Sequence, residues 1–222
     1  MTEEIGLTWL AEQCDATEDL LPHELDCLVE RGPVSTMVLA AGRSVTELRG
    51  ASSLQLGRDV RRLRESDIPE EVIRTAWIAS TDHAFDPFKE GVGVRTWLDM
   101  IEAAWLAEEC RNSPGFVRPT ADPVTDDASR AAVLHAVGTV GVDLALADVA
   151  GRMYDVLPVG DVVPALERVV TDVCADLGYR LFLRALKAYA VPVGPGARSA
   201  FAVLGERFGY PEGLVVQDLV RG

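Results

Sequence analysis

An all-α fold, a multi-helix bundle of about nine helices, is what the sequence predicts, and three observations predict it. Helix start and stop signals recur along the chain, apolar residues repeat at helical spacing, and the period-two alternation of strands is almost missing. Taken in order, Pro22 opens PHELDCLVER and Gly32 with Pro33 closes it, because proline suits a first helical position and glycine a stop. Ser35 can cap a helix running to Gly50, and Ser52 or Ser53 one running to about Glu65. Asp67, followed by Pro69, Glu70 and Glu71, starts a fourth, since first-turn acids complement the helix dipole.

The stretch TDHAFDPFKEGVG, Thr81 to Gly93, reads as a turn-rich connector. It leads into VRTWLDMIEAAWLAEEC, where Trp97, Leu98, Ile101, Trp105 and Leu106 fall at core-helix spacing. An apolar helix follows from about Asp126 to Tyr154. A long one spans Asp161 to Tyr189, striped by Leu166, Val169, Val170, Val173, Leu177 and Leu181, with Pro164 confined to its first turn. VPVGPG then precedes two short helices, ARSAFAVLGERF and PEGLVVQDLV. No internal repeat is visible.

Three prolines and a glycine between Arg111 and Thr125 mark the best boundary. The expected organisation is an acidic N-terminal half over 1–115 with a basic helix at 52–65, a proline-rich linker at 116–125, and a helical half at 126–222. A single domain is the alternative.

Charge is distributed unevenly. The chain of 222 residues carries a formal net charge of −14. Residues 1–30 hold nine acids and no lysine or arginine, whereas residues 31–64 hold seven arginines against Glu47 and Asp59, net +5. Residues 65–128 return to −9 and residues 129–222 to −1. The centre of the basic segment is GRDVRRLRES, Gly57 to Ser66. On a wheel Arg58, Arg61, Arg62 and Glu65 share one arc, and Leu56, Val60 and Leu63 lie opposite. These arginines are the candidate partner-binding residues, and docking against the acids of residues 1–30, or onto a partner's acidic surface, fits the layout.

Two lysines against nineteen arginines is the usage of a GC-rich bacterial genome. The acidic N-terminus lacks the basic and apolar regions of a secretory signal, so a cytoplasmic location is expected. Ala131 to Gly151 is interrupted by His135, Asp143 and Asp148, short of the uncharged span a bilayer helix needs. Cys14, Cys27, Cys110 and Cys174 have no zinc-site spacing and read as small hydrophobes and free thiols.

Asp172 and Asp176 form a D-x-x-x-D pair that on one helix face could hold magnesium with a substrate's phosphates. Arg168, Arg180 and Arg184 continue the same four-residue steps, which favours a charge ladder on a solvated face. Asp148 has Arg152 one turn on. Asp143 has no local partner and either points to solvent, pairs across helices or lines a pocket. Gly138, Gly141 and Ala145 form a small-residue stripe that permits a close helix crossing. His83, between Asp82 and Asp86, reads as an exposed loop histidine. GVG at Gly91 and GPG at Gly194 precede helices and could present amides to an anion. Neither a nucleophile elbow, a P-loop, a dinucleotide-binding fingerprint nor a zinc-protease motif is present, so no cofactor and no metal are expected.

LVERGPVSTMVLAAGRSVTELRG, residues 28–50, resembles the helix-turn-helix opening of winged-helix regulators, in which a G-P-V-S turn leads into the second helix and a G-x-S turn into the reader. That resemblance implies DNA binding, and the acidic balance opposes it because phosphate attraction dominates nucleic-acid affinity. The reading preferred from sequence is therefore a soluble regulatory or protein-interaction module, with a protein partner or self-association. A helical enzyme or small-molecule binder using Asp143, Asp172 or Asp176 stands second, and a DNA-binding regulator third.

Overall fold

The computed structural model describes residues 4–14, 20–48, 52–151 and 160–222. Among them the fold is all-α, with eleven helices and no strand. These are α1 (Gly6–Glu12), α2 (Pro22–Arg31), α3 (Pro33–Glu47), α4 (Ser53–Glu65), α5 (Glu70–Ala79) and α6 (Val94–Asn112), then α7 (Asp127–Gly151), α8 (Val162–Asp172), α9 (Ala175–Ala188), α10 (Pro195–Arg207) and α11 (Glu212–Val216). Two more helices exist than the punctuation predicts. One is α1, and the other comes from a break in the long pattern at Val173–Cys174.

The chain forms two compact units. One comprises Glu4–Ser66 and Ala84–Asp122 and contains α1, α2, α3, α4 and α6. Its core gathers Leu7, Leu10, Ala40, Leu56, Val60, Trp97, Ile101 and Trp105, all nearly inaccessible to water. Gly57 lets α4 lie close on α6, since a Cβ there would sit 2.4 Å from the Trp105 ring. The Trp105 indole N–H donates to the Ser53 carbonyl at 2.9 Å, so the buried ring keeps its polar edge satisfied. Gly32, at φ 82°, makes the sharp link from α2 to α3 that only glycine takes freely.

The other unit comprises Asp67–His83 and Pro123–Gly222, with α5 and α7 to α11. Here α8 and α9 pack as a hairpin around Leu166, Val169, Val170, Leu177, Leu181 and Phe182. Gly178 permits the approach, because a Cβ would meet Val170 Cγ2 at 2.4 Å. The break between them is held from outside: the Ala175 amide donates to the Val124 carbonyl at 2.9 Å and Cys174 is extended at φ −163°. Asp126 ends the segment that makes this contact, and its carboxylate accepts the Ser129 amide at 2.8 Å, capping α7. The four cysteines are free, with Cys27 and Cys174 buried, Cys14 half-buried and Cys110 exposed.

Candidate functional site

The arginines of GRDVRRLRES are held by their own unit. Arg61 donates to the Pro119 carbonyl at 2.8 Å, and Arg62 to the carbonyls of Ala121 at 3.3 Å and Asp122 at 2.6 Å. Arg64 pairs with Asp99 and with Glu102, a carboxylate only 3% exposed that also receives Arg118 at 3.0 Å. Arg95 donates to the carbonyls of Leu63, Arg64 and Ser66, satisfying the last turn of α4. Arg58 is half-buried and has no ion pair among the described residues. The partners described for this cluster lie on α4 itself, on α6 and in residues 118–122. The helix α4 packs on both α6 and α1, and its basic edge meets Glu102 and Asp99 of α6. Of the early acids, Glu24 is paired with an arginine from elsewhere, Arg43 of α3, at 2.8 Å.

Asp59, inside the same stretch, was a residue that wheel arithmetic passed over. It is wholly buried and accepts the Leu7 amide at 3.1 Å and the Gln55 side chain at 2.8 Å. The carboxylate thus caps α1 from α4, which explains a helix with no capping residue of its own. The turn that the winged-helix resemblance implies at Gly42–Ser44 is absent, because α3 runs unbroken from Pro33 to Glu47.

The candidate acids separate. Asp172 ends α8, exposed and paired with Arg168, while Asp176 lies in the first turn of α9 and is buried. The break at 173–174 removes the shared helix face of the D-x-x-x-D pair and divides the expected ladder, whose Arg168–Asp172 rung is exposed while the Asp176–Arg180 rung is buried. Asp176 pairs with Arg180 at 3.5 Å, as the four-residue spacing predicts, and accepts the Tyr210 hydroxyl, but Arg180 and Arg184 are buried. Arg184 donates to the Ser80 carbonyl at 3.1 Å. Asp143 points to solvent. No group of three or more metal-binding side chains occurs among the described residues.

His83 is half-buried rather than exposed. Its Nε2 lies 3.3 Å from Asp148, which also accepts the Tyr189 hydroxyl at 3.0 Å. Asp82 and His83 both have positive φ, 43° and 62°, so the turn after α5 is strained where it delivers the imidazole to α7. A pair 65 residues apart leaves no local signal in the sequence. Arg152, the expected partner of Asp148, lies outside the described residues.

The most unusual surface is on α7. Val133, Val137, Val140 and Leu144 are buried, as a core helix requires. Val142, Leu146 and Val149 are 74%, 65% and 61% exposed. With His135, Gly138, Thr139 and Ala145, also exposed, they fill an arc of about 120° at 100° per residue. Of the small-residue stripe, Gly141 faces α8, where a Cβ would lie 3.5 Å from Val163, and Gly138 opens onto free space. Among the described residues α7 is long and apolar enough to cross a membrane by length and composition. No family model, curated protein or solved structure matches the chain.

Proposed function

We propose that the protein is a protein-interaction module in which the outer face of α7 docks against the same face of a second copy. The observation that carries this reading is the exposure of Val142, Leu146 and Val149 side by side. Contiguous exposed apolar surface is costly in water, and on folded proteins it marks interaction sites.

Charge favours a second copy meeting there. A chain of net charge −14 repels itself over most of its surface, yet between Ala131 and Ala147 the only charged side chain is Asp143. Shape favours an antiparallel pairing centred on Val142. That register sets Leu146 opposite Gly138 and Thr139 opposite Ala145, larger against smaller, and Val149 opposite His135. Antiparallel helices also set opposite dipole ends together. Asp143, at the edge of the arc, then stands on the same edge as its counterpart, about 3 Å apart along the axis, so the pair is weakened by like charge.

Size-exclusion chromatography with light scattering checks the reading with variants that leave the core untouched. Leu146→Glu is expected to abolish the dimer, and Asp143→Asn or added salt to tighten it. Identical masses for wild type and Leu146→Glu, or flotation of the protein with lipid vesicles in place of self-association, contradict it.

A further inference from the structure

A cavity of about 470 Å³ lies in the unit of α7 to α11, within the size range of small-molecule sites. Its apolar wall is Val193, Pro195, Ala202 and Val216, its polar residues are Arg198, Ser199, Glu212 and Arg221, and Gly222 completes the rim. Residues 220–222 close one side, with the Val193 amide donating to Val220 at 2.9 Å and the Gly222 amide to Val193 at 3.2 Å.

Arg198 is fixed and not neutralised. Its guanidinium donates to the carbonyls of Leu219 at 2.6 Å and Val216 at 3.0 Å, with Val220 at 3.4 Å. Carbonyls hold the group in place, but unlike a carboxylate they leave its unit charge standing. Neither Arg198 nor Arg221 has a carboxylate partner among the described residues, and Glu212 pairs with neither. Another cavity of similar volume, lined by residues that include Leu39, Gly42, Arg43, Glu108 and Arg111, differs on this point. There Arg43 is neutralised by Glu24 and Glu47, and Arg111 by Glu108.

We propose that the Val193–Ala202–Val216 cavity binds a small organic monocarboxylate whose apolar chain lies on that wall and whose carboxylate sits between Arg198 and Arg221. A ligand carboxylate supplies the counter-charge that the carbonyls around Arg198 do not. A guanidinium accepts a carboxylate through parallel N–H donors, and the wall supplies nothing for a polar tail to bond. This inference is independent of the α7 face, which shares no residue with the cavity.

The test is an NMR titration of the full chain with sodium octanoate, with 1-octanol and inorganic phosphate as separate arms. Octanoate is expected to shift amides of residues 193–202 and 212–222 saturably. Losing one partly exposed charge contact of about 1 kcal/mol predicts that Arg221→Gln weakens binding about fivefold. Glu212→Gln is expected to tighten it, and Ala202→Phe, which fills the cavity, to abolish it. No saturation in the millimolar range, equal binding of octanol or of phosphate, or affinity indifferent to Arg221→Gln overturns the proposal.

Discussion

Glu102 shows how single residues on this chain do several tasks at once. Its carboxylate is out of water on α6, and Arg64 and Arg118 converge on it, with Arg61 at 3.9 Å. Removing it strands cations that were placed for it, and Glu102→Ala is expected to cost about 3 kcal/mol, at the low end for a buried pair because Arg64 and Arg118 retain contact with water. Urea denaturation measures this. Burial alone would lower the Arg64 guanidinium, but Glu102 with Glu65 and Asp99 outweighs it and raises it further. Tyr179 offers a pH test. Burial pushes its phenol well above the ordinary range, while its hydroxyl donates to Phe201 at 2.6 Å. A raised folded value means the stabilisation is complete below the unfolded value, about 10, and is lost as pH rises through the folded one. Absorbance titration is expected to show one phenol ionising only as the protein unfolds in alkali, and Tyr179→Phe to remove that step. These roles are hidden in a sequence, because Glu102 and Asp59 look like ordinary solvated acids until their partners, 38 and 52 residues away, are placed beside them.

Elements were legible where their signals are local. Pro22, Gly32 and the Glu70–Glu71 first turn fall at or beside observed helix ends, and the Trp97–Trp105 stripe of α6 is buried as its spacing requires. The missing pieces are those set by distant chain. α1 is capped by Asp59 of another helix, and the α8–α9 break is held by Val124 with close packing at Gly178. Leu166 to Leu181 keeps one apolar phase across the break, so periodicity alone sees a single helix. The hairpin makes its own prediction. A methyl at Gly178 collides with Val170, so Gly178→Ala is expected to destabilise by about 1–3 kcal/mol, as overpacking does. Val170→Ala in the same chain should recover part of that loss, and thermal or urea melts of the double-mutant cycle check it. Additive losses would show that the two residues do not meet.

For the whole molecule the proposed dimer sets a net charge of −14, which would keep copies apart, against the apolar outer face of α7, which would draw them together. The apolar character of residues 131–151 was plain in the sequence, but which of its sides stays uncovered was not, since α7 is apolar all round and periodicity cannot orient it. Asp143 is placed the same way: it stands exposed at the rim of that face, where under the proposed pairing its charge would weaken association. The central claim is tested most directly by sedimentation equilibrium of the wild-type chain over a range of concentrations at low and high salt. The account predicts reversible association to twice the 24.0 kDa chain mass, stronger at high salt. A chain that remains at 24.0 kDa at every concentration and salt contradicts it.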